Sequence, residues 1–490
     1  MVLPGTHDPR QHAGAGGRRD GRVDRRRPIH SPDRFPVAHD ARPASEAGEP
    51  GRLRAQQRTR EQSLVRRCRA VHRLHRPDRE KGESMSDMSA AAMKARVEEH
   101  RQGDLRLVAL TTDGKPIPNA TVRVEQTSHA FRFGCNLFGW SEDESDVQAL
   151  YRERFRALHN FATLGYYWWS YEPEQGKPRH AHADKVLAWA DSVGIECKGH
   201  PLVWNHNAAP WYPTDLAELR RLSDERVDDC VSRFAGAIDI WDVVNEATDP
   251  FRGKNFDNVF GDAWREYGRV EFTKHCFGIA RRANPDATLL INDYRLGEDY
   301  EQLIEELVDG DGKPLYDAIG LQTHQHGGAT PLDRVWDTCE RHSRFGVPLH
   351  FTETTFVSGP GKWEEWQETT PEGEAQQAED AEAFYRALFS HPAVEALTWW
   401  DFSDLNAWQR APSGLLRKDM SPKPAYDRLT RLVNEEWRTT TQAQSDENGV
   451  ATARGFYGDY DVTVTGTNGT RAAGSLSFRK GDDATFEIRG

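Results

Sequence analysis

Residues 235–247 read AGAIDIWDVVNEA. The β-branched and aromatic run through Val244 has the character of a buried strand. It nevertheless ends on an amide and a carboxylate side by side, Asn245 and Glu246. An unpaired carboxylate inside a buried strand is costly. At the C-terminal end of a strand in an α/β barrel the same group is in place, because that rim carries the catalytic residues. Whether the stretch is a structural oddity or part of an active site depends on its neighbours.

Seven other runs share its texture: FRFGCNLFG (131–139), NFATLG (160–165), ECKGHPLVW (196–204), TLLINDY (288–294), AIGLQTH (318–324), PLHFTET (348–354) and ALTWWDF (396–402). Helical segments such as HADKVLAWADSVG and AEDAEAFYRALFS lie between them. Eight strands alternating with helices predict a (β/α)8 barrel. An open doubly wound sheet would want a Gly-rich phosphate turn after its first strand, and the sequence has none.

The remaining chain sets the boundaries. Residues 1–84 are rich in Arg, Pro, Gly and His and lack periodic apolar positions, which predicts a disordered or mis-annotated leader rather than a folded unit. A nucleic-acid arm is the rival reading of that basic stretch. The whole chain has 490 residues and a formal net charge of −13, so the part after the leader is acidic and nucleic acid is not an expected partner. A natural start at Met85 leads into a helix. Residues 85–130 then carry GDLRLVAL and ATVRVEQT, read as a hairpin around a DG turn. Residues 131–437 make the catalytic barrel. Residues 438–490 supply further short strands, and the two ends are expected to complete one small accessory β-sandwich, since two strands alone are marginal. Phe456, Tyr457 and Tyr460 there are either core packing or a sugar-binding face. No apolar run reaches the length of a membrane span or signal peptide, and six scattered cysteines show no CxxC spacing. The expectation is a cytoplasmic protein with free thiols, no membrane partner, no cofactor and no metal. Oligomeric state is not legible.

Each strand run ends in polar or aromatic residues: His200 and Trp204; Asn245 and Glu246; Asn292 and Asp293; Gln322 and His324; Glu353; Trp400, followed by Trp408. In a closed barrel these share one rim. Indoles can cover the apolar faces of a pyranose while amides and imidazoles bond its hydroxyls. Two carboxyls in unlike environments, one protonated and one ionised, can break a glycosidic bond. A carbohydrate or glycoside is therefore the expected partner. A zinc site built on the His180/His182 or His324/His326 pairs lacks a third ligand at suitable spacing.

KGHPLVW, WDVVNEA, NDY, GLQTH, TET and WWDFSDLNAW, in that order over residues 150–435, resemble glycoside hydrolase family 10, the endo-β-1,4-xylanases. The resemblance implies a retaining mechanism with Glu246 as acid/base and Glu353 as nucleophile. It further implies that Asn245 and His200 hold the sugar at the cleavage point, that Gln322 and His324 position the nucleophile, and that Trp204, Trp400 and Trp408 form walls. Three departures from the family pattern involve five positions. Thr163, Leu164 and Tyr167 stand where the family has the Glu, Asn and Lys of ENxMKW, although Trp168 and EPEQG (172–176) match. Asn205 replaces a His after Trp204. Thr355 replaces an Asp two residues after Glu353. Loss of hydroxyl-binding groups alters specificity more than reaction class. The expectation is a retaining β-glycosidase for oligosaccharides or a non-xylan glycoside, with an apolar aglycone against Tyr166, Tyr167, Trp168 and Trp169. A xylanase acting on xylan and a non-catalytic carbohydrate-binding protein are the alternatives.

Overall fold

The computed structural model describes residues 87–362 and 365–490. The leader 1–84 lies outside the described residues. Helix Ala90–His100 opens with Ser89, whose side chain accepts the Ala92 N–H. Two strands follow, β1 (Gln102–Leu110) and β2 (Thr121–His129). The barrel strands are β3 (Arg132–Asn136), β4 (Phe161–Gly165), β5 (Glu196–His200), β6 (Ile240–Asn245), β7 (Thr288–Asp293), β8 (Ala318–Gln325), β9 (Leu349–Phe356) and β10 (Val394–Trp399). The chain ends with β11 (Thr440–Gln444), β12 (Val450–Phe456), β13 (Gly458–Thr465), β14 (Arg471–Phe478) and β15 (Thr485–Arg489).

Strands β3 to β10 close in sequence order into one parallel barrel, β10 pairing with β3 through Leu397 opposite Phe133. All eight runs read from the sequence are present. Their faces are buried on both sides because helices cover the outside and side chains fill the inside. Cys135, Cys197, Cys230, Cys276 and Cys339 are buried free thiols. No helix among the described residues is long and apolar enough to cross a membrane.

The two chain ends form two facing sheets, β12-β1-β15 and β11-β2-β13-β14. The hairpin read into 103–127 does not form. β1 pairs with β12 and β15, whereas β2 pairs with β11 and β13. The DG turn is present, with Thr111 N–H donating to Lys115 O at 2.8 Å, but the chain crosses from one sheet to the other there. The cause is burial. Leu105, Leu107 and Ala109 on β1 and Val122 and Val124 on β2 are all buried in one cluster. Two half-apolar strands bury both faces by packing face to face, which edge-to-edge pairing does not achieve. Tyr460 and Phe456 are buried, and Phe456 belongs to the barrel-side core, so these two are packing residues. Arg101 ties this end to the barrel. Its Nε donates to Phe389 O and its Nη2 to Val394 O, both at 2.7 Å.

Candidate active site

β6 ends by changing conformation. Glu246 has φ +57°, the left-handed region, and its N–H donates to Asn292 O at 2.8 Å. Successive residues of a strand point to opposite faces. The left-handed step after Asn245 lets two adjacent side chains enter the same site, at a cost of ~1–2 kcal/mol for a non-glycine residue. Gln322 Nε2 on β8 reaches both, donating to Asn245 Oδ1 at 3.1 Å and Glu246 Oε1 at 3.2 Å. The oddity at the end of WDVVNEA is thus a backbone turn that pairs an amide with a carboxylate over the barrel mouth.

Glu353, on β9, is surrounded by nitrogens. Asn292 Nδ2 donates to its Oε1 at 2.9 Å, His324 Nε2 lies 3.1 Å from Oε2, and His200 Nε2 lies 3.7 Å from Oε1. Such a set fixes the orientation of both carboxylate oxygens. Asn292 Nδ2 also donates to Asn245 Oδ1 at 2.8 Å, and Asn292 Oδ1 accepts from Thr352 Oγ1 at 2.5 Å. A Cβ on Gly320 would stand 2.5 Å from Asn292 Oδ1, so the glycine of GLQTH is what admits this amide. Asn292 therefore links the two halves of the site.

Beneath lies a fully buried ion cluster. Lys198 Nζ is 2.6 Å and His200 Nδ1 2.8 Å from Asp242 Oδ2. Burial pushes the Asp242 carboxyl up, but Lys198 and His200 outweigh it and hold it below the usual carboxylate range. The bond to Asp242 orients the His200 ring, turning Nε2 toward Glu353. Gly199, between Lys198 and His200, leaves room for the Trp241 ring, which a Cβ would meet at 2.0 Å. Sequence reasoning passed over Asp242, Lys198 and the linking role of Asn292. The signal was there: Lys198 and His200 two apart on one strand share a face, and two cationic groups in a core call for the carboxylate that WDVV supplies.

The walls are aromatic. Trp400 is buried and meets His200 at 5.2 Å and His324 at 6.1 Å between ring centroids. Trp408 is 40% exposed and lies 4.6 Å from the His324 ring, at the open side. Trp204 Nε1 donates to Glu246 Oε2 at 3.0 Å. His324 Nδ1 is 3.2 Å from Thr355 Oγ1, so the threonine occupies the partner position of the missing Asp. Asn205 is fully buried, with its carbonyl accepting from Asn258 Nδ2 at 2.8 Å, and His206 stacks on Trp204 at 4.4 Å. Arg252, in the loop after β6, forms an ion pair with Glu246 Oε2 and was not expected from the sequence.

The YYWW segment divides. Tyr167 is half-buried, 5.5 Å from the His200 ring and 5.7 Å from Trp204, so it faces the site. Burial, followed by the nearby Glu353 and Asp242 charges, pushes its hydroxyl well above the usual phenol range. Tyr166 and Trp168 do not line the site, contrary to the expectation for an apolar aglycone. Tyr166 is fully buried against Trp241 and Phe234, and Trp168 packs on Tyr212 and Phe260. Thr163 and Leu164 are likewise buried. Tyr166 is held beside helix Leu216–Arg233, where Arg226 of that helix donates to its carbonyl. His180 begins helix His180–Ser192 and lies 3.4 Å from Asp229. No cluster of metal-ligating side chains occurs among the described residues.

Two glutamates on one barrel rim, flanked by amides, imidazoles and indoles, make up the set of groups that glycoside hydrolases use. The chain belongs to glycosyl hydrolase family 10, whose profile matches residues 127–432. It is 26% identical over 381 residues to anti-sigma-I factor RsgI6 of Acetivibrio thermocellus, covering 76% of this chain and 46% of that protein. It is 26% identical over 412 residues to endo-1,4-beta-xylanase 1 of Arabidopsis thaliana, covering 81% of this chain and 40% of that one. The chain thus spans less than half the length of these curated relatives. Its fold is similar to xylanase 10B from Thermotoga petrophila RKU-1 in complex with xylobiose, with a TM-score of 0.51, 23% identity and coverage of 63% of this chain and 95% of that one. It is also similar to GH10 from Paenibacillus barcinonensis, with a TM-score of 0.52, 24% identity and coverage of 62% and 96%.

Proposed function

We propose that this chain is a retaining β-glycosidase in which Glu353 is the nucleophile and Glu246 the acid/base, acting on short oligosaccharides or a non-xylan glycoside. The observation that carries the mechanism is the unlike treatment of the two carboxylates. Glu353 sits inside the barrel mouth, where it receives Asn292 and faces two imidazoles, while Glu246 stands at the rim with Trp204, Gln322 and the Arg252 guanidinium, on the side from which a leaving group enters. Glu353 attacks the anomeric carbon as the bond to the leaving oxygen breaks, and the proton of Glu246 passes to that oxygen. Water then gives a proton to the Glu246 carboxylate while its oxygen displaces Glu353. Asn245, fixed by Asn292 and Gln322, keeps its own N–H donors for a sugar hydroxyl. His200, Gln322 and His324 orient the carboxylates. Trp204, Trp400, Trp408 and Tyr167 enclose the ring.

The substrate reading rests on β4. Thr163 and Leu164 are buried, and a phenol ring at Tyr167 stands where the family pattern has an ammonium. A site that has lost polar partners for hydroxyls discriminates less among glycones. The test is hydrolysis of aryl β-glycosides and xylo-oligosaccharides by the chain from Met85, with Glu246→Ala and Glu353→Ala beside it. Activated aryl glycosides and short oligomers are expected to turn over. Release of xylo-oligomers from polymeric xylan at comparable rates supports the second reading, an endo-β-1,4-xylanase, which the names of the xylanase relatives favour. Sugar binding without turnover supports a carbohydrate-binding protein, in keeping with a relative named as an anti-sigma factor.

A further inference from the structure

The proposed acid/base carries a cation that hydrolysis does not require. The Arg252 guanidinium pairs with Glu246 Oε2, the oxygen that also accepts from Trp204 Nε1. Arg252 is held from several directions. Its guanidinium carbon lies 4.2 Å from the Phe256 ring centroid and 4.6 Å from that of Tyr294, and its Nη1 donates to Asp249 O at 2.8 Å. Its side chain is 25% exposed, so it can be reached from the cleft. The other charged groups nearby are already engaged. Asp293 accepts from Thr248 N–H at 2.9 Å and Arg295 N–H at 3.0 Å, and Arg295 pairs with Asp249 at 2.6 Å. His206, stacked on Trp204, is neutral because burial and then Arg252 push its imidazole down to about 4. Tyr294 is 37% exposed and presents its ring.

This arrangement sets two demands against each other. Arg252 favours the ionised Glu246, whereas the first chemical step needs Glu246 to carry a proton. Protonating Glu246 leaves the guanidinium clamped between two rings with only Asp293, which is already bonded to the Thr248 and Arg295 N–H groups, as a nearby negative charge, and this is unfavourable at a partly buried site. Because Glu246 protonates the leaving oxygen, Arg252 and Tyr294 lie on the leaving-group side of the scissile bond. We infer that Arg252 selects a leaving group bearing a carboxylate. The incoming carboxylate takes over Arg252, and Glu246 takes one proton from solvent, so charge is conserved and the acid is loaded by the substrate that needs it. This inference rests on the reading of Glu246 as acid/base. An aromatic acid and a sugar acid share the required chemistry.

The experiment is calorimetric binding to the full chain carrying Glu353→Ala, at pH 7 in two buffers of different ionisation heat. One ligand pair is 4-carboxyphenyl and 4-carbamoylphenyl β-xyloside. A second is a β-xylosyl uronic acid and its amide, and the pair showing the larger preference names the source of the carboxylate. The expected result is binding about tenfold tighter for the carboxylate, or ~1.4 kcal/mol, with close to one proton taken up, and no uptake for the amide. Adding Arg252→Gln erases both effects, and Arg252→Lys retains part of the preference, which guards against misfolding of one variant. Equal binding within each pair, no binding to any of the four ligands, or a preference that survives Arg252→Gln overturns the inference. Hydrolysis of neutral glycosides by the unsubstituted chain with no carboxylate preference overturns the role of Arg252 and leaves the glycosidase reading intact. A carboxylate preference in binding with no turnover of any glycoside supports Arg252 and removes the glycosidase reading.

Discussion

Asn292→Asp changes one buried atom from a donor to an acceptor at the junction of the site. Asn292 Nδ2 gives hydrogen bonds of 2.8 Å to Asn245 Oδ1 and 2.9 Å to Glu353 Oε1. A hydrogen bond to a charged group contributes roughly 1.5–3 kcal/mol. The aspartate also sets a second carboxyl against Glu353, and two carboxyls that close cannot both ionise, so the pair holds one proton to higher pH. The nucleophile is then partly protonated near neutrality. Together these effects amount to ~3–4 kcal/mol, or a 10²–10³-fold loss of kcat/KM at pH 7, since about 1.4 kcal/mol is tenfold. The sign of the pH effect follows. In the proposed mechanism the carboxylate form of Glu353 attacks, so raising the pH at which the pair ionises moves the acid limb of kcat/KM to higher pH. Asn292→Ala loses the bond without adding a charge, so it falls roughly 30-fold, from ~2 kcal/mol, and moves that limb in the same direction but by less than Asn292→Asp does. The assay is kcat/KM from pH 4 to 9 on an activated aryl β-glycoside, for which formation of the intermediate needs little acid assistance. Activity of Asn292→Asp within threefold of the unsubstituted chain, with an unmoved acid limb, would refute the role given to Asn292.

Three further outcomes follow from neighbouring groups. Asp242→Asn leaves Lys198 buried without a counter-ion and should cost ~3–5 kcal/mol, seen as a fall in the denaturant midpoint. Because the folded Asp242 carboxyl lies below its unfolded value, its stabilisation is present above the unfolded pKa near 3.8 and is lost as pH falls through the lower folded one, so the penalty of the substitution shrinks in acid. Asp401 has the opposite sign. Burial raises its carboxyl to about 6 despite bonds from Ser413 and the Trp408 N–H. Its relative stability is therefore present below the unfolded value and lost as pH rises to about 6, and the Tm difference between the unsubstituted chain and Asp401→Asn should move against the unsubstituted chain across that window. Tyr167→Lys returns a cationic donor 5–6 Å from the site rings and should raise kcat/KM for xylobiosides relative to aryl glycosides by roughly tenfold, a shift of ~1.4 kcal/mol. An unchanged ratio would separate glycone choice from this position.

The barrel is legible because most of its strands are short apolar runs set between helical segments, a pattern imposed by burial on both faces. The strand-end residues could be gathered for the same reason, since parallel strands place all their C-terminal ends on one rim. The hairpin at 103–127 was misread because alternation reports one buried face and not whether that face meets a neighbour in its own sheet or in another one. The tyrosines and tryptophans of 166–169 look alike in composition. Only the short helix Trp168–Tyr171 at the end of β4 sends Tyr167 inward while Tyr166 and Trp168 pack into the core. Arg252 lay beyond reach. Nothing near FRGKNF in the sequence says that its loop folds back over Glu246, whereas the Lys198–Asp242–His200 cluster could have been found from two-residue spacing within β5.

The assignment of Glu353 as a covalent nucleophile is the centre of the account. It is tested by incubating the full chain with a 2-deoxy-2-fluoro aryl β-glycoside that forms the intermediate faster than water clears it, and mapping the modified peptide by mass spectrometry. The account predicts one glycosyl unit on Glu353, with none on the Glu353→Gln variant. Turnover of the parent glycoside with no adduct, or an adduct on Glu246, would contradict it.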